Sequence, residues 1–581
     1  MTKYTADFET ATWLENESFV WAWAVCEIKN NKNVIIDNSI DSFMDFLRKH
    51  QGDTFYFHNL KFDSQFIIYY LLTHGFTHIK DKKYRKENTF TTLISDMGIF
   101  YSMEIYFKVD KKKTGKVTII DSLKMIPFKV SKVAKSFGLP ISKLEIDYNL
   151  PREHGHILTK EEKDYITNDV RIMAQALDIM FSEGLDKMTI GANALKDFKD
   201  IIGLNRFNHL FTHIDYDLDA ELRKSYKGGF TYLNDKWKDK DTGVGITLDV
   251  NSLYPSVMLK PLPFGDPKHY KGKYIEDKMY PLYIQKITCC FKVKENMIPT
   301  IQIKNSYYFN ANEYIKDSNG VIETLVLTSI DLKLFLEHYD VFELEYIEGW
   351  KFKSISGIFD DYINKWTQRK IQAGKEGNKG QRQLAKLMLN SLYGKYARSQ
   401  DVQEKYPYLA DNGIIKYELS EKTKKDGLYL PVACFITAYA RDKTIRTSQA
   451  ITDYSIKKYG EDKYIYSDTD SISTTLSIDE VKQFCDIDDF ELGKWAHENT
   501  FENAKFIRQK TYIKLIDNEI HITCAGMPET CYDFVTWDNF KEGFTCGGKL
   551  AYKEVIGGVK LVEIDFTIKG DKELKKHIKS F

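Results

Sequence analysis

The chain has 581 residues, too many for one hydrophobic core, so several domains are expected. Hydrophobic residues at 43% and charged residues at 29% exclude a disordered chain and fit a soluble globular one. The 83 basic and 83 acidic side chains cancel, so no net basic footprint marks a nucleic-acid partner, unless positive charge is gathered into a groove and acid placed elsewhere.

Residues 1–184 alternate short strands and helices, with strands expected at 2–8 and 54–57 and a helix through Phe66, Ile67 and Leu71. Residues 111–116 read as a solvated hairpin tip. A helix over 159–180 opens with a capping box formed by Thr159 and Glu162. A second α/β region begins near Asp186 and is interrupted twice. The first interruption, 260–357, contains an expected strand at 298–303. Two helices follow, at 362–371 and 381–396, around a glycine-rich turn at 374–380. The second interruption spans 399–428. From about Cys524 onward the chain is strand-rich with Gly-Gly turns, and its basic tail past Lys569 reads as a solvated end or a weak DNA contact. The run 505–514 is basic with aromatics between, whereas 486–491 is acidic. Eight cysteines without a C-x-x-C pair argue against structural zinc and for reduced thiols. With no apolar signal core and no membrane-length apolar run, a soluble intracellular protein is expected.

Three blocks carry the first constellation: DVNSLYP at 249–255 after an apolar strand, KLMLNSLYG at 386–394 on a helix, and YSDTDS at 466–471 at a hairpin. Asp249 and Asp468 on adjacent strands, with Asp470 two residues on and the Val250 carbonyl, can hold two divalent ions about 3.5–4 Å apart for in-line nucleotidyl transfer. Clustered carboxylates repel unless a cation joins them, a reason to expect metal. Arg382, Lys386 and Asn390 stand four apart on one helical stripe, and with Lys370 on the preceding helix they can grip a triphosphate. Tyr254 is placed to clash with a 2′-hydroxyl, and Tyr393 to pack against a nascent base pair.

The second constellation lies upstream. Asp7 and Glu9 share one face of a strand, Asp63 follows another strand, and Tyr165 and Asp169 meet on one face of a helix. Four carboxylates from three elements can hold two metals around a scissile phosphate, with Tyr165 orienting water. Asn59, Phe62 and Phe66 are candidates to hold a frayed 3′ end by hydrogen bonding and stacking.

At these residues the sequence resembles the family B DNA polymerases, specifically the protein-primed branch of bacteriophages and linear plasmids. DVNSLYP, KLMLNSLYG and YSDTDS look like its palm and fingers motifs, and DFE, NLKFD and YITND like its three exonuclease motifs. YKGGF at 226–230 is similar to its linker motif, KTY at 510–512 to its primer-terminus motif, and FITAYAR to a primer- and template-binding pattern. The resemblance implies a multidomain α+β chain: an RNase H-like 3′–5′ exonuclease domain at 1–188, palm at 189–259 and 429–524, and fingers at 358–398. It also implies two terminal-protein-region insertions at 260–357 and 399–428, and a thumb and tail at 525–581. It implies DNA contacts at Thr10, His58, Asn59, Phe62, Phe66, Ser122, Leu123, Tyr226, Gly228, Gly229, Thr437, Arg441, Lys510 and Tyr512, and a catalytic Lys143. Two Mg2+ ions per site are implied, with Mn2+ as substitute. Implied partners are template, primer, dNTPs and a terminal protein, in a monomer working in bacterial host cytoplasm with processive strand displacement. Two alternatives stand beside this reading: a family B polymerase using only nucleic-acid primers, and a catalytically dead DNA-binding scaffold.

Overall fold

The computed structural model describes residues 1–109, 114–148, 150–303, 310 and 312–570. The tip expected within 111–116 begins outside the described residues, as does the basic tail past residue 570.

The N-terminal lobe is built on an eight-stranded mixed sheet. Strand Thr54–Phe57 runs parallel to Lys3–Thr10 on one side and to Thr114–Asp121 on the other. Strand Val20–Glu27 (VWAWAVCE) is apolar almost throughout rather than alternating, because both its faces are covered. Trp21, Ala22, Ala24 and Cys26 join the core that includes helix Lys160–Ser182, whereas Val20, Trp23 and Val25 pack with Phe43 and Leu47 of helix Ile40–Lys49. The expected capping box at Thr159 and Glu162 is present. Glu162 does more than cap: it accepts from Arg152 Nε at 2.7 Å and lies 2.8 Å from His156 Nε2. That network fixes the start of the helix carrying Tyr165 and Asp169.

A five-stranded antiparallel sheet forms the centre, in the order Trp495–Phe501, Gly245–Val250, Ser471–Thr474, Tyr464–Asp468, Thr231–Leu233. The 30-residue helix Leu430–Tyr459 packs against it and is buried along most of its first half, as its all-round apolar sequence requires. Within 260–357, a four-stranded sheet orders Leu262–Lys271, Tyr339–Ile355, Leu282–Val293 and Glu323–Thr328. Residues 298–303 are irregular, not the expected strand. Pro299 has no N–H for a ladder, and the neighbouring donors go to side chains: Ile298 N to Gln449 Oε1 and Thr300 N to Tyr339 Oη, both at 2.9 Å.

The helical pair is Asp360–Lys375 and Lys379–Ser391, so the expected seven-residue turn shrinks to 376–378. Gly377, at φ +66°, makes the turn, whereas Gly374 and Gly380 sit inside helices. Gly380 is there because the first lobe comes close: an added Cβ would lie 3.1 Å from the Phe137 carbonyl oxygen.

Two hairpins return to the N-terminal lobe. In the first, Lys405–Leu409 pairs with Ile415–Leu419; Ile415 enters that lobe's core and Tyr417 Oη donates to Gln65 Oε1 at 2.7 Å. In the second, Thr545–Val555 pairs with Gly558–Thr567, and Ser18 N donates to Ile556 O at 2.9 Å. A Cβ on Gly557 would fall 2.0 Å from the Ser18 carbonyl oxygen, and one on Gly558 2.7 Å from the Phe66 ring, so the Gly-Gly turn is dictated by docking. Among the described residues no helix is long and apolar enough to cross a membrane.

Burial opposes ionisation of Glu162, but hydrogen bonds from Thr159 N–H, Arg152 and His156 outweigh it and hold the carboxyl at about 2. Its folded value lies below the unfolded value of about 4.3, so its stabilisation is complete above that pH and disappears as pH falls toward 2. Glu162→Gln is expected to destabilise the N-terminal lobe by about 3 kcal/mol at neutral pH by stranding buried Arg152. Thermal melts should show the two proteins converging between pH 4.5 and 2.5; parallel curves would refute the assignment.

Two carboxylate centres

The first centre forms where strand Lys3–Thr10 faces helix Lys160–Ser182. Asp7 and Glu9 point the same way by strand periodicity, and Asp169 meets them from the helix, with one ligand-capable atom of each within 4.8 Å of the others. Burial, then the charge of Asp169, pushes the Asp7 carboxyl up to about 7. Burial and Asp7 push both Glu9 and Asp63 well above the ordinary range. Lys143 Nζ lies 2.6 Å from Asp169 Oδ2 and supplies the opposing charge. Asp63 arrives from the first turn of helix Leu60–Thr73, and its Oδ1, like Asp169 Oδ1, is buried without a hydrogen-bond partner. Mutually repelling carboxylates with orphaned oxygens are the donor set a hard divalent cation requires.

Tyr165 Oη is hydrogen-bonded to Tyr148 Oη, a residue sequence reading missed because it sits in an irregular stretch without periodicity. Asn59 adopts the left-handed conformation at φ +76°, and its side chain donates to Tyr552 Oη of the second docked hairpin at 3.1 Å. Phe62, half-buried, has its ring centroid 6.3 Å from that of Tyr552. Thr10 is buried at the strand end, and Leu123 is half-buried. Two expected contacts are corrected. Phe66 is 2% exposed and packs beneath the Gly557-Gly558 turn, so its ring is not free for stacking on a base. Ser122 is fully buried; its hydroxyl donates to Phe57 O at 2.9 Å and lies 3.0 Å from His58 Nδ1, so it positions His58 rather than facing outward.

The second centre lies on the central sheet. Asp249 pairs with Ser471, which brings Asp470 beside it: Val250 N donates to Asp470 O at 2.8 Å. Burial, then Asp470, then Glu498 raise the Asp249 carboxyl to about 7, and its Oδ1 has no hydrogen-bond partner. Desolvation together with Asp468 and Glu498 raises Asp470 as well. The expected pairing of Asp249 with Asp468 across adjacent strands is thus corrected to Asp249 with Asp470. The reason is strand order: Ser471–Thr474 lies between the strands bearing Asp249 and Asp468. Asp468 instead lies 3.3 Å from Lys510 Nζ and accepts from Thr231 Oγ1 at 3.2 Å.

Glu498 was missed because it stands outside any motif, near a register shift where Trp495–Phe501 pairs with the Asp249 strand. Lys514 was also missed. It is buried, donates to Thr247 Oγ1 at 2.7 Å and Ser473 Oγ at 3.2 Å, and desolvation pulls it down to about 8. The basic run 505–514 is therefore not one exposed stripe; Lys505 Nζ is likewise engaged, with Trp537 O at 2.7 Å.

The helical pair brings its cations to this centre. Burial, then Arg382 and Lys386, lower Lys370, and Lys386 acts on Asp249. Asn390 is exposed one turn beyond Lys386. Tyr254 and Tyr393 stack with centroids 4.1 Å apart and planes at 16°, and half-buried Tyr226 adjoins them. Tyr512 packs its ring against Tyr466 and Phe506. The YKGGF segment crosses the YSDTDS turn: Thr469 N donates to Phe230 O at 2.7 Å, and a Cβ on Gly229 would lie 2.6 Å from Thr469 side-chain atoms. Thr437 and Arg441 are corrected as outward DNA contacts. Both are at least 97% buried, the Thr437 hydroxyl bonding to Ala433 O at 3.0 Å. The Arg441 guanidinium binds both oxygens of Asp331 and the carbonyls of Lys227 and Gly228. Arg441 thus fixes the backbone at Gly228.

The chain matches the family described as DNA polymerase type B, organellar and viral, over residues 45–158 and 151–484. It is 46% identical to the DNA polymerase of Bacillus phage M2 and 45% identical to that of Bacillus phage phi29, over 97% of this chain and 99% of each relative. It is 32% identical to the DNA polymerase of Streptococcus phage Cp-1 over 97% of this chain and 98% of that one. Its structure is similar, with a TM-score of 0.91 and 44% identity, to phi29 DNA polymerase complexed with primer-template DNA and incoming nucleotide substrates, covering 98% of this chain and 100% of that chain.

Titrating Mn2+ against the DNA-free protein should reveal two populations of bound ion. Asp249→Asn should weaken one, and Asp7→Ala with Glu9→Ala the other, each at least about tenfold, since even outer-shell changes at metal sites cost that much. A variant retaining both populations would refute its cluster as a metal site.

Proposed function

The chain belongs to the type B DNA polymerases and is a DNA-directed DNA polymerase; we propose that it extends primers at the Asp249 and Asp470 centre and proofreads 3′ ends at the Asp7, Glu9, Asp63 and Asp169 centre, with Mg2+ pairs at each. The observation that carries this reading is the juxtaposition of Asp249 and Asp470, held by the Val250 to Asp470 backbone bond, with an orphaned buried oxygen on Asp249. The family uses divalent metal, and such ions, when bound, supply Lewis acidity that activates the attacking oxygen and neutralises the leaving one. Asp249, Asp470, Asp468 and the Val250 carbonyl would hold them in the first case, and Asp7, Glu9, Asp63 and Asp169 in the second; Mn2+ would substitute.

The protein's own residues do the rest. Lys370, Arg382 and Lys386 bind the triphosphate, and Asn390 extends the same stripe. Tyr254, braced by its stack on Tyr393, excludes a 2′-hydroxyl from the sugar site. Lys510 and Tyr512 steady the primer terminus, and Tyr226, Gly228 and Gly229 line the path between the two centres. In the proofreading site, Tyr165 orients water, Lys143 keeps a positive charge beside Asp169, and Thr10, His58, Asn59, Phe62 and Leu123 hold the single-stranded end.

In domain terms, residues 1–188 form the exonuclease, 189–259 and 429–524 the palm, 358–398 the fingers and 525–581 the thumb and tail. The insertions 260–357 and 399–428 would contact a terminal protein that primes synthesis and would help enclose DNA for processive strand displacement. The hairpin docked through Ile415 and Tyr417 supports such enclosure. The named relatives include polymerases of Bacillus phages, which supports work in the cytoplasm of a bacterial host, where the chain would act as a monomer.

Asp470→Asn should lower primer extension roughly a hundred- to a thousandfold or more while single-stranded 3′ degradation persists. Near-normal extension would sink the palm assignment. Incubating the protein with its candidate terminal protein, Mg2+ and labelled dNTP should place covalent label on that protein; label found only on DNA would favour ordinary primers. Tyr254→Val should admit ribonucleotides, and unchanged discrimination would remove Tyr254 from sugar selection.

A further inference from the structure

A cleft of about 690 Å³ opens between helix Val130–Phe137 of the N-terminal lobe and helix Lys379–Ser391. Lys132 and Lys135 line one wall and Lys379 and Arg382 the other, with Ser131 and Ser136 flanking the two lysines along their helix. No carboxylate lines it. None of the four cations is in an ion pair among the described residues, although lysines elsewhere, such as Lys80, Lys116, Lys236 and Lys458, are paired.

Two further observations give the cleft a ligand. Lys379 and Arg382 stand in the first turn of a 13-residue helix with no acidic residue there, so their charge adds to the positive end of the helix dipole instead of opposing it. That arrangement is unfavourable until an anion enters. The walls approach closely at one end, where a Cβ on Gly380 would lie 3.1 Å from the Phe137 carbonyl oxygen and one on Gly138 3.3 Å from the Lys379 Cβ. The cleft is also continuous with the triphosphate stripe: Arg382 belongs to both, and its charge acts on Lys370. The lining has hydroxyl, amide and cationic groups but no aromatic ring, so it offers phosphate contacts and no stacking surface for a base.

We propose that Lys132, Lys135, Lys379 and Arg382 form an outer polyphosphate site, which takes the triphosphate tail of the incoming nucleotide before it reaches Lys370 and Lys386, or the pyrophosphate as it leaves. This rests on the polymerase reading of the Asp249 centre. It makes two lysines of the N-terminal lobe part of nucleotide traffic at the other centre.

The test compares the full-length protein with Lys132→Gln/Lys135→Gln and Lys132→Glu/Lys135→Glu in single-nucleotide extension of a primer-template, varying dNTP and adding inorganic pyrophosphate. The dNTP KM and the pyrophosphate inhibition constant should rise roughly three- to tenfold, more for Glu than for Gln, with kcat unchanged and the difference shrinking as salt is raised. A rise in KM alone assigns the site to the incoming nucleotide, and a rise in the inhibition constant alone assigns it to the product. If neither moves, the proposal is overturned. It is equally overturned if primer-template binding weakens while both constants stay fixed, since the cleft would then be a DNA track. Degradation of single-stranded DNA by both variants reports folding, and the Gln pair decides if the Glu pair is misfolded. Failure of the unaltered protein to extend at saturating dNTP would instead count against the polymerase reading.

Discussion

Mutual repulsion of carboxylates brought together by the fold is the constraint on which this structure turns. At each centre burial and like charge push acids toward the neutral form, and the chain spends much of its architecture holding them there. The Arg152, His156 and Glu162 network anchors the helix that delivers Asp169. The hairpin between Asp468 and Ser471, pinned to Phe230 through Thr469, delivers Asp470. Cations stand near but do not fill the centres: Lys143 at one, and Lys386, Lys510 and buried Lys514 around the other. Complete neutralisation by protein cations would leave no role for a divalent ion, so partial compensation is the arrangement that favours metal binding.

The same molecule ties its parts through a few buried polar contacts. Arg441 joins Asp331 of helix Ser329–His338 to the carbonyls of Lys227 and Gly228, so one side chain links the long helix, the first insertion and the YKGGF segment. Asp331 is held below its ordinary range because Arg441 overcomes its desolvation. A buried pair of this kind adds little net stability relative to apolar packing but leaves few alternative arrangements, a role in specifying geometry. Gly229 against Thr469 makes the next joint, a contact that tolerates no side chain.

Much of this was legible in the sequence where spacing alone sets geometry. Period two placed Asp7 and Glu9 together, period four placed Tyr165 with Asp169, and the capping box marked its helix. Motif order implied the family, and membership is shown. What could not be read depends on neighbours distant in the chain. Strand order decides that Asp470, not Asp468, adjoins Asp249. A strand at 298–303 was expected from its apolar residues, but Pro299 and side-chain acceptors from other elements took its donors. Phe66, Ser122, Thr437 and Arg441 are positions that the resemblance assigns to DNA contact, yet they turn inward, because a resemblance specifies residue type and not the direction a side chain faces. Glu498 and Tyr148 lie in no recognisable pattern, and Lys514 ends a basic run that does not reveal its burial; all three acquire meaning only through tertiary contact.

The Gly557-Gly558 turn joins segments more than five hundred residues apart along the chain, yet its hold on residues 14–18 is slight: the Ser18 and Ile556 backbone bonds plus lysine contacts to backbone oxygens. The firmer hold lies beside it, where Val559 is buried in the N-terminal lobe's core and the Gly558 backbone closes on the Phe66 ring, so the hairpin cannot lift away without exposing apolar surface. Residues from the two ends of the sequence therefore share one apolar seam, and a substitution at Val559 acts on the N-terminal lobe as well as on the hairpin.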